Sequence, residues 1–151
     1  MKLLITGGSG TLGQEITKLA IANNYQVNIL TRNKKLLSNN ISLKYYYWNP
    51  SEEEIDVECF KGVNSVINLA GFSVFKLWTK KNKSKILNSR LTSTFFILKH
   101  IKERGIKLNS FISASGIAAY SDSISKTSSE KNLVSIPDSF INQVVVKWES
   151  K

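Results

Sequence analysis

The chain has 151 residues, 42% hydrophobic and 21% charged, with a formal net charge of +10. Such a length and balance suit one globular domain with a real core, and no run of eighteen apolar residues is present to form a membrane span. A single cysteine, Cys59, excludes an internal disulfide, and with a single histidine, His100, it makes no zinc site.

The amino end, MKLLITGG, carries too short an apolar run for a signal peptide and meets glycine at once. It reads as a first strand, Lys2–Thr6, of a cytoplasmic protein. Thr11–Asn23 follows as a helix with Leu12, Ile16, Leu19 and Ala20 on one face. Gln26–Thr31 and Ile41–Trp48 are the second and third strands, the latter closed by an Asn49-Pro50 turn. The acidic stretch Glu52–Glu58 reads as a surface segment and Val63–Leu69 as the fourth strand. A long helix over Lys80–Arg104 has an apolar stripe of Ile86, Leu87, Leu91, Phe95, Leu98 and Ile101, and Gly105 is placed to end it. On that helix His100 is expected to be solvated. Leu108–Ser113 is the fifth strand. Ser121–Pro137 is a Ser-rich loop, and Asp138 is placed to cap a last helix carrying Phe140, Ile141, Val144, Val145 and Trp148. Alternating strands and helices imply an α/β, Rossmann-type, doubly wound parallel sheet in the order 3-2-1-4-5, spanning residues 1–151 as one domain.

The basic residues are nearly all lysines spread along the chain. The densest run, Lys80, Lys81, Lys83 and Lys85, falls on several faces of a helix, so a solvated helix start is favoured over a nucleic-acid surface. The positive field suits an anionic dinucleotide.

The most informative motif is Thr6-Gly7-Gly8-Ser9-Gly10-Thr11-Leu12-Gly13, placed between the first strand and the first helix. Gly7 permits a tight turn, Gly10 lets backbone approach a diphosphate, and Gly13 lets the helix pack closely. The free N–H groups of Thr11, Leu12 and Gly13 and the helix dipole then face the anion. A glycine turn that merely packs helix on strand is the alternative. No Gly-Lys-Ser/Thr follows, which excludes a P-loop. At the end of the second strand, where an NAD site places an acid, the sequence reads Thr31-Arg32-Asn33-Lys34-Lys35. Arg32 with a neighbouring Lys suits a 2′-phosphate, so NADP is favoured over NAD; a solvated basic turn is the alternative.

TGGSGTLG, Asn68-Leu69-Ala70-Gly71 and Ser113-Ala114-Ser115, each after a predicted strand, together resemble the short-chain dehydrogenase/reductase superfamily. The likeness is to its extended and atypical, nucleotide-sugar epimerase-like members. The succession INLAG, Trp78-Thr79, Ile86-Leu87-Asn88-Ser89-Arg90, FISAS and a Tyr is similar to one subgroup, the epimerase family proteins of bacteria and organelles. The resemblance covers nearly the whole chain. It implies that Asn68, Ala70 and Gly71 line the cofactor and that Ser115, or failing it Ser113, is the serine of the active site. Arg90, which matches the subgroup's pattern, is polar within an otherwise apolar stripe and is expected to face the cleft. For Arg90 an exposed helix position is the alternative, and for residues 68–71 a plain strand end.

The family's proton relay is a Tyr-x-x-x-Lys on the helix after the fifth strand, whose Tyr exchanges a proton with a substrate hydroxyl. No such pair exists here; anchored on Glu149, its positions fall near Ile141 and Val145. Tyr120 is the candidate substitute acid, with a structural or cofactor-contacting role as the alternative. Ser121 stands where the family carries Gly. The resemblance also implies about as many residues again, with a substrate domain that these 151 residues do not contain. On that basis the fifth strand is expected as an uncovered edge open to homo-oligomer pairing, and Val144-Val145-Val146 and Trp148 as exposed apolar surface. The function expected is an NADP(H)-binding oxidoreductase or epimerase acting on a small-molecule substrate. A non-catalytic dinucleotide-binding module and a remnant of a longer gene are the alternatives.

Overall fold

The computed structural model describes residues 1–39, 41–120, 125, 127–132 and 138–150. Its contacts divide the chain into two compact units, Met1–Gly71 with Thr92–Ala114, and Phe72–Leu91 with Ser115–Lys151.

In the first unit the elements are β1 (Lys2–Thr6), α1 (Thr11–Ala22), β2 (Gln26–Thr31), β3 (Ser38–Asn39), β4 (Leu43–Asn49), β5 (Glu54–Ile55), β6 (Ser65–Asn68), the later part of α2 (Lys80–Glu103), and β7 (Ser110–Ser113). The sheet runs β3-β4-β2-β1-β6-β7. Its five longer strands pair in parallel, and in chain order they give the expected 3-2-1-4-5 arrangement. The short β3 and β5 pair antiparallel with β4. Neither was legible beforehand: Trp48 pairs with Ile55 across a turn that the sequence marks only with Asn49-Pro50.

Alternation along the central strands builds two cores. Leu3, Ile5, Val27 and Ile29 join Ala20 of α1 in one cluster, whereas Leu4, Leu30 and Val66 join Phe96 and Ile97 of α2 in the other. Odd and even residues of β1 thus serve opposite faces, as a doubly wound sheet requires.

The helix faces match the predicted stripes in part: Ala20 of α1 and Ile86 of α2 are buried, and Ile16 and Ile101 pack on the core clusters. On α1 the buried residues are Gly13, Thr17 and Ala20, while Leu12 and Leu19 are 60% and 66% exposed. Small residues at that spacing let the helix lie close on the sheet, and the larger leucines flank the contact. On α2, Phe95 is 61% exposed, and Phe96 and Ile97 are buried with Ser93 and Thr94. Gly105, at φ +60°, ends α2 as expected: its amide donates to the Lys102 carbonyl and that of Ile106 to Ile101. His100 is half-buried rather than fully solvated. It packs edge-on to Phe96 at 4.7 Å between centroids, and its Nδ1 is buried without a hydrogen-bond partner. Burial lowers its pKa, with Arg104 and Lys99 adding to the shift against Glu103.

In the second unit, α3 (Phe140–Glu149) is capped by Ser139 rather than Asp138. The Ser139 hydroxyl accepts from the Asn142 amide, and the Asn142 side chain accepts from the Ser139 amide, a reciprocal cap that Asp138 lies one residue too early to make. Val144, Val145 and Trp148 are buried, which corrects the expectation of an exposed apolar face. The turn Ile117–Ala119 packs on this helix, and Trp78 meets Phe140 edge to face at 5.4 Å. Of the lysine run, Lys80, Lys81 and Lys85 are exposed as expected, while Lys83 is half-buried, 5.1 Å from the Phe140 ring. Ser121 and most of the Ser121–Pro137 loop lie outside the described residues; within it, Glu130–Asn132 forms a 3-10 turn. No helix among the described residues is long and apolar enough to cross a membrane.

Candidate functional site

The glycine loop follows β1 directly. Gly7 has φ +69°, and a Cβ there would come within 2.8 Å of the Leu69 backbone. The loop therefore turns tightly and lies against the chain leaving β6. At Gly13 a Cβ would overlap the Gly7 carbonyl oxygen and the Gly8 Cα, so α1 rests on the loop itself. Gly8, to which sequence reasoning gave no role, is buried against Ile29, whose Cγ2 would lie 2.7 Å from its Cβ.

Gly10 is different. It has ordinary extended backbone and is exposed, and the closest atom to a Cβ there is the Gly7 carbonyl oxygen at 3.3 Å. The protein's own packing asks far less of glycine here than at Gly13. Gly10 is also the N-cap of α1, with no side-chain cap and no acid in the first turn. Thr11 and Leu12 are exposed beside it. An uncapped helix mouth without a carboxylate is where an anion is most favoured.

Thr6 holds this loop to the end of β6. Its Oγ1 donates to Asn68 Oδ1 at 2.7 Å and accepts from the amides of Leu69 and Ala70, each at 3.1 Å. The Asn68 side-chain nitrogen donates in turn to Thr94 Oγ1 at 2.9 Å and Ser113 Oγ at 3.2 Å. All of Asn68 is buried, so its side chain serves to fasten β1, β6, β7 and α2 together. Sequence reasoning missed Thr6 and Thr94 as members of this network. A threonine at a buried helix position was the available signal for Thr94. Ala70 is half-buried and Gly71 exposed.

Register brings the end of β2 alongside: Thr6 pairs with Leu30 on one side and with Asn68 on the other. Thr31 is buried, and its hydroxyl accepts the Asn33 amide at 3.0 Å. Asn33 Oδ1 accepts the Lys35 amide, which shapes the turn Lys34–Leu36. Lys34 sits 4.5 Å over the Tyr47 ring, and Arg32 is exposed. Gly7, Gly10, Thr11, Leu12, Gly13, Thr31, Arg32, Asn68, Ala70 and Gly71 therefore all lie at the carboxyl ends of β1, β2 and β6 or at the mouth of α1. In parallel α/β sheets this is the end where ligands bind.

Arg90, Ser115 and Tyr120 belong to the second unit. Arg90 is half-buried. Its Nη1 donates to the carbonyls of Phe72 at 3.0 Å and Ile86 at 2.9 Å, and its guanidinium lies 5.3 Å from the Trp148 ring. Burial lowers its pKa. Ser115 is exposed, and its Oγ donates to Glu149 Oε1. The half-buried Tyr120 closes the Ile117–Ala119 turn through its amide, which donates to the Ile117 carbonyl at 3.0 Å. Of the two positions where a Tyr-x-x-x-Lys would fall, Val145 is buried and Ile141 half-buried. Cys59 is fully buried, and its pKa is raised, chiefly by burial, which keeps it a thiol.

Comparison with known proteins agrees with this geometry. Residues 3–139 match the model of the NAD dependent epimerase/dehydratase family. The chain is 32% identical over 151 residues to the epimerase family protein YfhF of Bacillus subtilis, and 32% identical over 146 residues to the epimerase family protein SSP1921 of Staphylococcus saprophyticus. It covers 100% and 97% of its own length in these matches but only 49% and 47% of theirs, so it spans about half the length of these relatives. Among solved structures, the human epimerase family protein SDR39U1, determined with NADPH, aligns over 99% of this chain and 48% of its own, at 21% identity and a TM-score of 0.75. A UDP-glucuronic acid 4-epimerase from Bacillus cereus, in complex with UDP-glucuronic acid and NAD, aligns over 99% of this chain and 50% of its own, at 22% identity and a TM-score of 0.79. The sheet order, the glycine loop and the match over residues 3–139 lead to one assignment: this chain belongs to the NAD dependent epimerase/dehydratase family.

Proposed function

We propose that this chain binds a nicotinamide dinucleotide, NADP(H) in preference to NAD(H), as the cofactor half of an epimerase- or reductase-type enzyme acting on a small hydroxyl- or carbonyl-bearing substrate. The observation that carries the reading is Gly10: glycine at an exposed position where a Cβ would meet one backbone oxygen at 3.3 Å, a tight contact but not the overlap found at Gly13, at the bare mouth of α1. A diphosphate approaching that backbone supplies a further reason for glycine. Gly7 and Gly13 shape the loop, Thr11, Leu12 and Gly13 present amides, and Ala70 and Gly71 border it. Arg32, with no acid near the end of β2, suits a 2′-phosphate. Bound there, the dinucleotide would supply a hydride donor or acceptor; this chain's residues hold and orient it. The neighbouring structures carry NADPH in one case and NAD in the other, which supports a nicotinamide dinucleotide and leaves the preference to Arg32.

Thermal denaturation with each dinucleotide tests the reading. NADPH is expected to raise the melting temperature by mass action, and NADH to do so less at equal concentration. A flat response to NADPH, NADP⁺, NADH and NAD⁺ alike would remove it. A second reading, a dinucleotide-binding module without its own proton relay, is favoured by Ile141 and Val145 at the Tyr and Lys positions. Cofactor binding without turnover across sugar nucleotides and small carbonyls would select it.

A further inference from the structure

Three side chains of one face of α3 grip the segment that carries Ser115. Asn142 Nδ2 donates to the Ala118 carbonyl at 2.7 Å, Val145 Cγ2 lies 3.4 Å from where a Cβ of Gly116 would sit, and Glu149 Oε1 accepts from Ser115 Oγ. Positions 142, 145 and 149 are spaced so that they share that face. The first two contacts fix the backbone. The third fixes a hydrogen.

Glu149 sits badly for helix stability alone. It is in the last turn of α3, where the dipole disfavours an acid. A carboxylate can only accept, so it takes the one hydrogen that the Ser115 hydroxyl has. What Ser115 then offers to anything else is lone pairs. A free serine could donate to a carbonyl oxygen; this one is committed against it.

We propose that Glu149 is a positioning residue that sets Ser115 as a hydrogen-bond acceptor. The ligand group taken at Ser115 is then a donor, the hydroxyl of an alcohol, in preference to the carbonyl of the matching ketone. The proposal rests on the reading of Ser115 as a site residue and is independent of the dinucleotide.

The test is an amide chemical-shift titration of the labelled chain with cyclohexanol and cyclohexanone, followed at Ser115, Gly116 and Ile117, with NADPH titrated separately and followed at Gly10 and Thr11. The alcohol is expected to bind about five- to tenfold more tightly than the ketone, the worth of one hydrogen bond. Glu149→Leu, at an exposed position, should level or reverse that ratio, and Glu149→Asp should keep it. Ser115→Ala should abolish it. If Glu149→Leu does not fold, Glu149→Ala, which likewise removes the acceptor, is read instead, with the same levelling expected. Equal affinity in the native chain, a ratio that survives loss of the carboxylate, or no shift with either probe would each overturn the proposal. Failure of the dinucleotide reading alone would show as silent Gly10 and Thr11 amides with the Ser115 responses intact.

Discussion

Thr6 Oγ1 and Asn68 Oδ1 stand 2.7 Å apart at the ends of β1 and β6, and every other bond of both side chains fastens a neighbouring segment. Thr6→Val keeps the shape and deletes the hydroxyl. It leaves the half-buried Ala70 amide and the buried Asn68 oxygen short of a partner, while the Leu69 amide keeps its bond to the Thr6 backbone carbonyl. The expected loss of stability is about 1–3 kcal/mol, read from urea denaturation midpoints. A change within error would mean that the network does not hold the loop.

Gly13 and Gly10 should separate packing from binding. At Gly13 an added methyl meets backbone that cannot swing aside, so Gly13→Ala should cost on the order of 3 kcal/mol or abolish folding. Gly10→Ala meets one oxygen at 3.3 Å in a conformation that alanine adopts freely, so its stability should stay within about 1 kcal/mol of the native chain. Equal destabilisation at the two sites would contradict this division.

The basic turn after β2 makes a cofactor-specific prediction. Arg32→Ala should weaken NADPH roughly ten- to a hundredfold, the range for a hydrogen-bonded charged contact, and leave NADH nearly unchanged. Competition binding with the two reduced dinucleotides reads the difference. Parallel losses would show that Arg32 does not meet the 2′-phosphate.

His100 links stability to pH. Burial beside Phe96 and Phe60, with Arg104 and Lys99 nearby, lowers its pKa from the ordinary 6.5, and its Nδ1 lacks a hydrogen-bond partner. The unfolded chain therefore binds more protons below 6.5, so the contribution of the neutral ring is full above that pH. It is lost as pH falls through the lower folded value. Denaturation midpoints of the native chain should fall on acidification below 6.5, and His100→Leu should flatten that slope. An unchanged slope in the variant would assign the pH dependence elsewhere.

Much of the fold was legible because its signals are local. Strand runs, the glycine loop and the Gly105 stop each declare themselves within a few residues, and right-handed crossovers order the sheet. The errors arose where long-range packing decides. Leu12 and Leu19 looked like the core face of α1, but close approach to the sheet demanded Gly13, Thr17 and Ala20 there. Phe95 and Phe96 are adjacent in sequence, and only the α2 contact with β1, β2 and β6 shows which one is buried. His100 carried the charged company of a solvated residue, yet it is half-buried with two aromatic rings packed against it. At the site, the glycines and Arg32 were visible by type and spacing. Thr6, Thr94 and Glu149 were not, since their partners lie 62, 26 and 34 residues away.

The central claim is that a dinucleotide diphosphate settles on exposed backbone at the mouth of α1. Calorimetric titration of the native chain and of Gly10→Ala with NADPH tests it most directly. Saturable heat in the native chain, reduced at least about tenfold in affinity by a methyl that leaves stability nearly intact, is the predicted result. Equal affinity in the two proteins, or no heat from the well-folded native chain, would contradict the account.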